Sequence, residues 1–531
     1  MTIPVTPDAD RPDYHSGVVK AMAPDVAVVR DVAAGYAAIK AKGETYLPRH
    51  PKETRENYAI RLARPTFFNA FTRTLDGLVG MVFRKSPVLG DDVPKPVIGH
   101  WENIDKEGNH GDVFLKTLFA DAVEAGHCAV LIDYPRIPAG RVTLADEQAL
   151  DLRPYWVHIR KEDIINFRTR RGAGGERILE QITLRFTSYE ADGLFGDKPV
   201  VRFRVYRRTA AGIIWETWQL GTDGIPMPLL DEQGTIAKLT EIPVVVIYGR
   251  QIGYFQSRPP LLDLAQLNIL HYQTNADYFH ALHIALVPVP VMTGGIEGSL
   301  EVGPNAFLAL PAGATFAYVE TTGAALATAR TALEDLEGQM AVMGLSLLQG
   351  EKRAAETAEA KRLDKSEKDS ALSTMARALQ DGVEEALRFH AQYLGLPDGG
   401  SVLVNHDFAD EALDPAEIQV LGEAVARGQL SLETMWQKLA EGEWLPEDFD
   451  PEVERERLAV AGMVPPVMES GGLRLVASGN PYHVVQRGEQ FCVEKKSGER
   501  VTCHPTKEAA MAHFRALEAN ILRQSDVRTD P

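Results

Sequence analysis

Strand-forming runs concentrated between residues 155 and 248, framed on both sides by helical periodicities, predict an α+β fold. WVHIRKEDIINF, LEQITLRF, VVRFRVYRR, GIIWETWQL and IPVVVIYG alternate or are rich in β-branched residues, and Gly/Asp turns separate them. The flanking segments repeat apolar residues every three or four positions, the period of one helix face. At 531 residues the chain can bury a sizeable core and holds several structural regions.

Residues 1–45 read as a loose arm with one short helix over 26–40. Over 46–87 an extended Pro/Arg segment feeds an amphipathic helix. Phe68, Phe71, Leu75, Leu78, Val79 and Val82 share one face, Pro65 suits the start, and Arg84-Lys85-Ser86-Pro87 the stop. After a Pro/Gly-rich connection, Val113, Leu115, Leu118, Phe119 and Val123 predict a second helix that Gly126 caps. CAVLIDYP then reads as a buried strand. Residues 46–259 together form a mixed α+β domain.

The texture changes at residue 260. A long helix over 260–285 is rich in neutral polar residues, with Asp263 and Asp277 its only acids. A compact, β-containing excursion occupies 286–321. In the helix over 322–348, Leu326, Leu333, Leu336, Met340, Met343 and Leu347 are spaced 7, 3, 4, 3 and 4, an a/d seam that suits an ordinary buried helix or a seam between subunits. Residues 350–370 hold six Lys/Arg and six Asp/Glu, too polar to enter a core, and form a solvated helix or a loop facing water; 349–360 is their leading part. Leu372, Met375, Leu379, Val383, Ala386, Leu387 and Leu394 then mark an amphipathic helix, followed by the short strand VLVNHDF, within 361–410. Residues 411–468 are helical and acidic, with Ser431 capping a Leu432/Met435/Trp436/Leu439 stripe. A Gly/Ser/Pro linker (469–481) isolates a tail (482–525) read as a two-stranded hairpin plus a helix, a ββα module.

Composition narrows the function. The net charge of −18 argues against a generic DNA-binding surface, yet it fits both a wall past which DNA slides and a plain solubility device. Cys128, Cys492 and Cys503 make no disulfide framework, which fits a reducing cytoplasm. The first residues lack an apolar core, so no signal peptide is expected, and no run of eighteen apolar residues predicts a membrane span. GxxxxGK[ST], GxSxG and HExxH are absent, so no catalytic residue, cofactor or ATP site is expected. His127 and Cys128 are neighbours on a strand and point to opposite faces. Asp133 reads as a satisfied turn carboxylate. His280 and His283 lack a carboxylate near enough in sequence to complete a metal set, and Cys492, Cys503, His504 and His513 match no zinc-finger spacing.

As strings, YLPRHPKETRENYAIRLARPTFFNAFTRTLDGLVGMVFRKSP and TAEAKRLDKSEKDSALSTMARALQDGVEEALRFHAQYLG resemble segments of bacteriophage portal proteins. The order helix, small β insertion, helix, charged segment, long helix is similar to the portal order of stem, clip, stem, tunnel loop and wing helix. The resemblance covers about 46–460. It implies a portal-like fold: a wing over 46–259, stem helices at 260–285 and 322–348 flanking a clip at 286–321, a tunnel loop at 349–360, a wing helix and strand over 361–410, and a crown-like helical region over 411–468.

By the same resemblance, the chain is a non-enzymatic subunit of a cyclic homo-oligomer, a dodecamer in the family. The ring forms the channel for double-stranded DNA at a capsid vertex of the virion, after synthesis in the bacterial cytoplasm. Implied partners are the terminase large subunit, major capsid and scaffold proteins, and head–tail connector proteins. Lys352 and Arg353 of the tunnel loop are expected to touch DNA, and Asp263 and Asp277 to form acidic rings. A head–tail connector or minor head adaptor is the nearest alternative. A metal-dependent nucleic-acid-processing hydrolase would need paired carboxylates.

Overall fold

The computed structural model describes residues 10–135, 149–221, 223–286, 289–294, 313–319, 324–346, 370–406, 408, 415–441, 444–445, 449–460, 482–487, 490–495, 500–514 and 517. Both helices and sheets are abundant, as an α+β chain requires. Two compact units divide it, 1–409 and 410–531.

In the first unit, Ser16 caps α1 (Gly17–Ala33) by accepting the Val19 N–H at 3.4 Å. Gly35, with φ at 81°, turns the chain into α2 (Tyr36–Ala41), so the single helix expected over 26–40 is two. The segment expected to be extended before Pro65 contains α3 (Arg55–Ala63). Thr54 caps it, and Glu53 and Arg61 close a bidentate ion pair with arms of 2.9 Å across it. Pro/Arg composition conceals this helix, whose Tyr58 and Leu62 pack on the core while Arg61 pairs with Glu53.

In α4 (Ala70–Val82), Phe71, Leu75, Leu78, Val79 and Val82 are buried as their spacing predicts. Phe68 lies before the helix, and Asn69 supplies the cap. β1 (Val88–Leu89) and α5 (Lys95–Trp101) lead to α6 (Gly111–Ala125), which ends on left-handed Gly126 with φ at 93°. Val113 of α6 faces solvent, 55% exposed, because it falls outside the buried arc of Phe114, Leu115, Leu118 and Phe119.

Two antiparallel sheets follow. β2 (His127–Asp133) lies between β3 (Tyr155–Ile159) and β9 (Val244–Tyr248) and is almost wholly buried. β4 (Ile164–Arg171), β5 (Arg177–Asp192), β6 (Gly196–Thr209), β7 (Gly212–Leu220) and β8 (Pro226–Ile236) form a five-stranded meander. The run 156–167, read as one strand, is divided by a 3₁₀ turn at Lys161–Asp163 and shared between the two sheets. β10 (Gln251–Gly253) and β11 (Gln256–Ser257) pair before α7 (Leu262–Ala285).

β12 (Val289–Thr293) pairs with β13 (Thr315–Val319), and α8 (Ala324–Ser346) returns beside α7. α9 (Ala371–Tyr393), capped by Ser370, presses Leu372, Leu379, Val383 and Leu387 into the main core against β9. Packing is so close that a Cβ on Gly382 would come within 2.3 Å of Ile247. β14 (Val402–Leu403) then pairs with β1, and Asp92 accepts the Ser401 N–H and hydroxyl at 3.1 and 2.7 Å. The apolar core joins α4, α6, β2, β9 and α9.

The second unit contains α10 (Pro415–Ala426), α11 (Leu432–Glu441) and α12 (Pro451–Val460). Ser431 accepts the Thr434 N–H at 3.1 Å, and Trp436 packs on Phe449, which gives the stripe a packing role. The tail carries three strands where two were expected: β15 (Tyr482–Arg487), β16 (Gln490–Lys495) and β17 (Arg500–His504), because FCVEKKSGERVTCH doubles back on itself. Cys492 and Cys503 face each other across β16 and β17 and form a disulfide, with Cα atoms 3.9 Å apart. The expectation of unpaired cysteines is corrected: counting cysteines cannot show that two occupy opposed positions on a hairpin.

Candidate functional site

The helices α7 and α8 with β12 and β13 are the portion of the fold that the sequence singles out, and α7 explains its unusual polarity. Its buried amides hold a non-helical stretch of the N-terminal signature. Asn268 Oδ1 accepts the Phe71 N–H at 3.1 Å while its Nδ2 donates to the Phe68 carbonyl at 2.8 Å. Asn275 Oδ1 accepts the Thr66 N–H at 3.0 Å, and Gln273 donates to the Tyr46 carbonyl at 2.9 Å. These bonds tie backbone groups of Tyr46 and of the stretch around Pro65 to named side chains of α7. Sequence reasoning missed Asn268 and Asn275; their one advance signal is a run of amides on a helix with few charges.

Asp263 and Asp277 of α7 are 56% and 55% exposed, and each has a cationic partner. Arg258 meets Asp263 at 2.9 Å, and Arg61 meets Asp277 at 3.2 Å. The Arg61 guanidinium, itself buried, also holds the Glu53 carboxyl down to about 2 and donates to the Pro48 carbonyl. Asp277 therefore helps anchor the signature segment. Lys352 and Arg353, with all of 349–360, lie outside the described residues.

On α8, Leu333 and Met340 of the a/d seam are buried and α7 of the same chain packs alongside, which favours the intrachain use of that seam. A groove of about 920 Å³ opens between the helices, lined by Leu267, Leu270, Val342 and Met343 together with Asp263, Glu334 and Asp335. His271 meets Glu337 at 3.2 Å. His280 and His283 join no group of potential metal ligands among the described residues.

Three buried clusters elsewhere have the residue types of chemistry. Lys161 Nζ donates to the Ala125 carbonyl and to the carbonyl and hydroxyl of Ser257 at 2.9, 3.1 and 3.0 Å, while the hydroxyl meets His127 Nδ1 at 2.7 Å. Burial pushes Lys161 down to about 8 and His127 down to about 3. All three side chains are enclosed, and the ammonium sits on the final carbonyl of α6, where the helix dipole favours it. This is an internal brace.

Asp121, Cys128 and His158 place potential ligand atoms within 4.8 Å of one another. Arg30 already lies against Asp121, His158 bonds it at 2.7 Å, and Cys128 donates to the Leu118 carbonyl, so the donor set is engaged by protein partners. In the third, Trp156 donates to His390 Nδ1 at 3.2 Å, which leaves His390 Nε2–H to donate to His100 Nδ1 at 2.9 Å. Burial holds His390 down to about 3, and the chain of bonds requires both imidazoles neutral.

Asp133 accepts from Tyr155, Arg204 and the Tyr134 N–H, as a satisfied turn carboxylate does. In the tail, His504 and His513 meet at 3.0 Å, while adjacent Cys503 points to the other face and pairs with Cys492. Among the described residues, no helix is long and apolar enough to cross a membrane.

A family model described as a domain of unknown function (DUF4055) matches residues 260–394, the span from α7 to α9. No curated protein matches the chain. Among solved structures, the chain is similar to a component of the virion of a native gene transfer agent particle, at 12% identity and a TM-score of 0.35, covering 81% of this chain and 100% of that one. It is similar too to a chain in the neck of the native particle computed with C12 symmetry, at 12% identity, TM-score 0.34 and the same coverage. A chain in the neck of the empty particle, computed with C6 symmetry, gives 11% identity and a TM-score of 0.35 over 79% of this chain and 96% of that one.

Proposed function

We propose that this chain is a structural subunit of a phage-like particle and, more finely, a portal subunit whose copies form a ring around DNA. One observation carries the reading. The segments 46–87 and 357–395 that resemble portal proteins flank α7 in the sequence, and Asn268 and Asn275 of α7 bind residues 66–71 of the first directly onto the helix that opens the expected stem, clip, stem order. Beyond that junction the order is α7, the β12/β13 pair, α8 and α9, which matches stem, clip, stem and wing helix.

In this reading the work is mechanical and electrostatic. The chain supplies no reaction of its own, and a separate ATP-driven motor docks at the clip around β12 and β13. Net negative walls keep DNA from adhering, and Lys352 and Arg353 touch phosphates in passing. The head–tail connector joins after packaging.

Negative-stain electron microscopy with native mass measurement tests the reading on the purified full-length chain. Closed rings of about a dozen copies with a central hole are the expected result. A monomer or dimer at every salt concentration would overturn it in favour of an adaptor that lacks a channel.

A further inference from the structure

The five-stranded sheet ends in two unlike surfaces. At one end, β5 and β6 meet in a turn closed by Asp192 opposite Gly196. Left-handed Gly193 makes that turn, yet Leu194 and Phe195 at its tip are 92% and 102% exposed. Turn geometry asks for no apolar side chain here, and an exposed Leu-Phe pair is a form of surface that partners cover. Exposed Asp192 and Asp197 flank it.

At the other end of the same strands, exposed Arg171 and Arg177 flank the β4–β5 turn on a chain of net charge −18. Arg171 and Arg177 stand directly opposite each other, an unfavourable pairing of like charges. Arg177 lies 5.7 Å over the Tyr254 ring, and nearby Ile252 is 65% exposed. One end thus offers bare apolar groups between carboxylates, and the other an aromatic and aliphatic patch edged by guanidinium groups.

We propose that these ends are the two halves of one contact between copies of this chain. Leu194 and Phe195 of one copy seat on the Ile252/Tyr254 patch of the next, and Asp192 and Asp197 face Arg171 and Arg177. The two ends cannot meet within a copy. β5 has 16 residues, which at ~3.3 Å each separates them by about 50 Å. The contact is therefore heterologous and generates a ring where the rotation closes, or a filament where it does not. It deepens the ring reading and rests on that reading for closure.

The test uses full-length protein at low salt, where charge complementarity is least screened. A tip variant combines Phe195→Ser with Asp192→Arg; a receiving-end variant combines Arg171→Glu with Arg177→Glu. Sedimentation velocity is expected to show association at least about tenfold weaker for each variant alone. Mixed together, the variants retain one intact contact per pair and are expected to give 1:1 dimers and nothing larger. Matching thermal circular dichroism establishes that these exposed substitutions leave the fold unchanged.

Assembly of both variants like the wild type would overturn the contact and leave the ring reading standing. A wild type that stays monomeric would remove both. Loss of duplex DNA binding by the receiving-end variant, with assembly intact, would assign the arginines to a polyanion and overturn the contact.

Discussion

α7 and α9 are nearly equal in length, 24 and 23 residues, but opposite chemistry holds them in place. α9 presents a continuous apolar face, from Leu372 through Leu379 and Val383 to Leu387, to the main core. α7 presents amides, and Asn268 and Asn275 bond to named backbone groups of 66–71. Dispersion contacts are numerous and individually weak, so an apolar face tolerates small shifts of register. Hydrogen bonds to a particular N–H do not, so α7 fixes the position of the signature segment to within a bond length.

Leu387→Ala should separate the two mechanisms most strongly. Its side chain is fully buried, so about 2–5 kcal/mol of stability should disappear in urea unfolding followed by tryptophan fluorescence. Asn268→Leu keeps the branched side-chain shape and removes both bonds, stranding the Phe71 N–H, while the Phe68 carbonyl still accepts the Ala70 N–H. The stranded N–H should cost about 1–3 kcal/mol. Hydrogen exchange should locate the loss around 66–75, whereas Leu387→Ala should loosen the core as a whole.

Acid should expose a further difference, because α9 also carries His390. Its folded pKa of about 3 lies below the unfolded value of about 6.5, so on acidification the unfolded chain takes up the proton first. Stability supplied by neutral His390 is present above the unfolded value and is lost as pH falls through about 6.5 toward about 3. Between pH 7 and pH 5 the loss from this group should be about 2 kcal/mol, and a His390→Gln variant should show a correspondingly smaller pH dependence. Smallest of all is Val342→Ser on the exposed lip of the groove, expected to move stability by less than about 0.5 kcal/mol.

The same contrast explains what could be read from the residues alone. α9, β2 and the capped end of α6 were legible because each announces itself locally, by an apolar period, an unbroken apolar run or Gly126. α3 was not, since Arg61 and Glu53 stabilise it by a pair that composition hides. The role of Asn268 and Asn275 depends on partners some 200 residues away. The disulfide between Cys492 and Cys503 depends on hairpin register, and the Lys161–Ser257–His127 brace gathers three separate stretches of chain. Of the candidate site, α7, α8 and their strand pair lay where spacing placed them. The ion pairs of Asp263 and Asp277 did not follow from spacing, and Lys352 and Arg353 fall outside the described residues.

The clasp between β1 and β14 sets a timetable for synthesis. Asp92 and Ser401 are 309 residues apart, so at ~5–20 residues per second the ribosome needs about 15–60 s to deliver the second half of the clasp after the first. α9, which covers β9 and part of the main core, emerges in the same late interval. Throughout that time the apolar faces awaiting it stay uncovered on the nascent chain, and this is the window in which a holding chaperone would raise yield most.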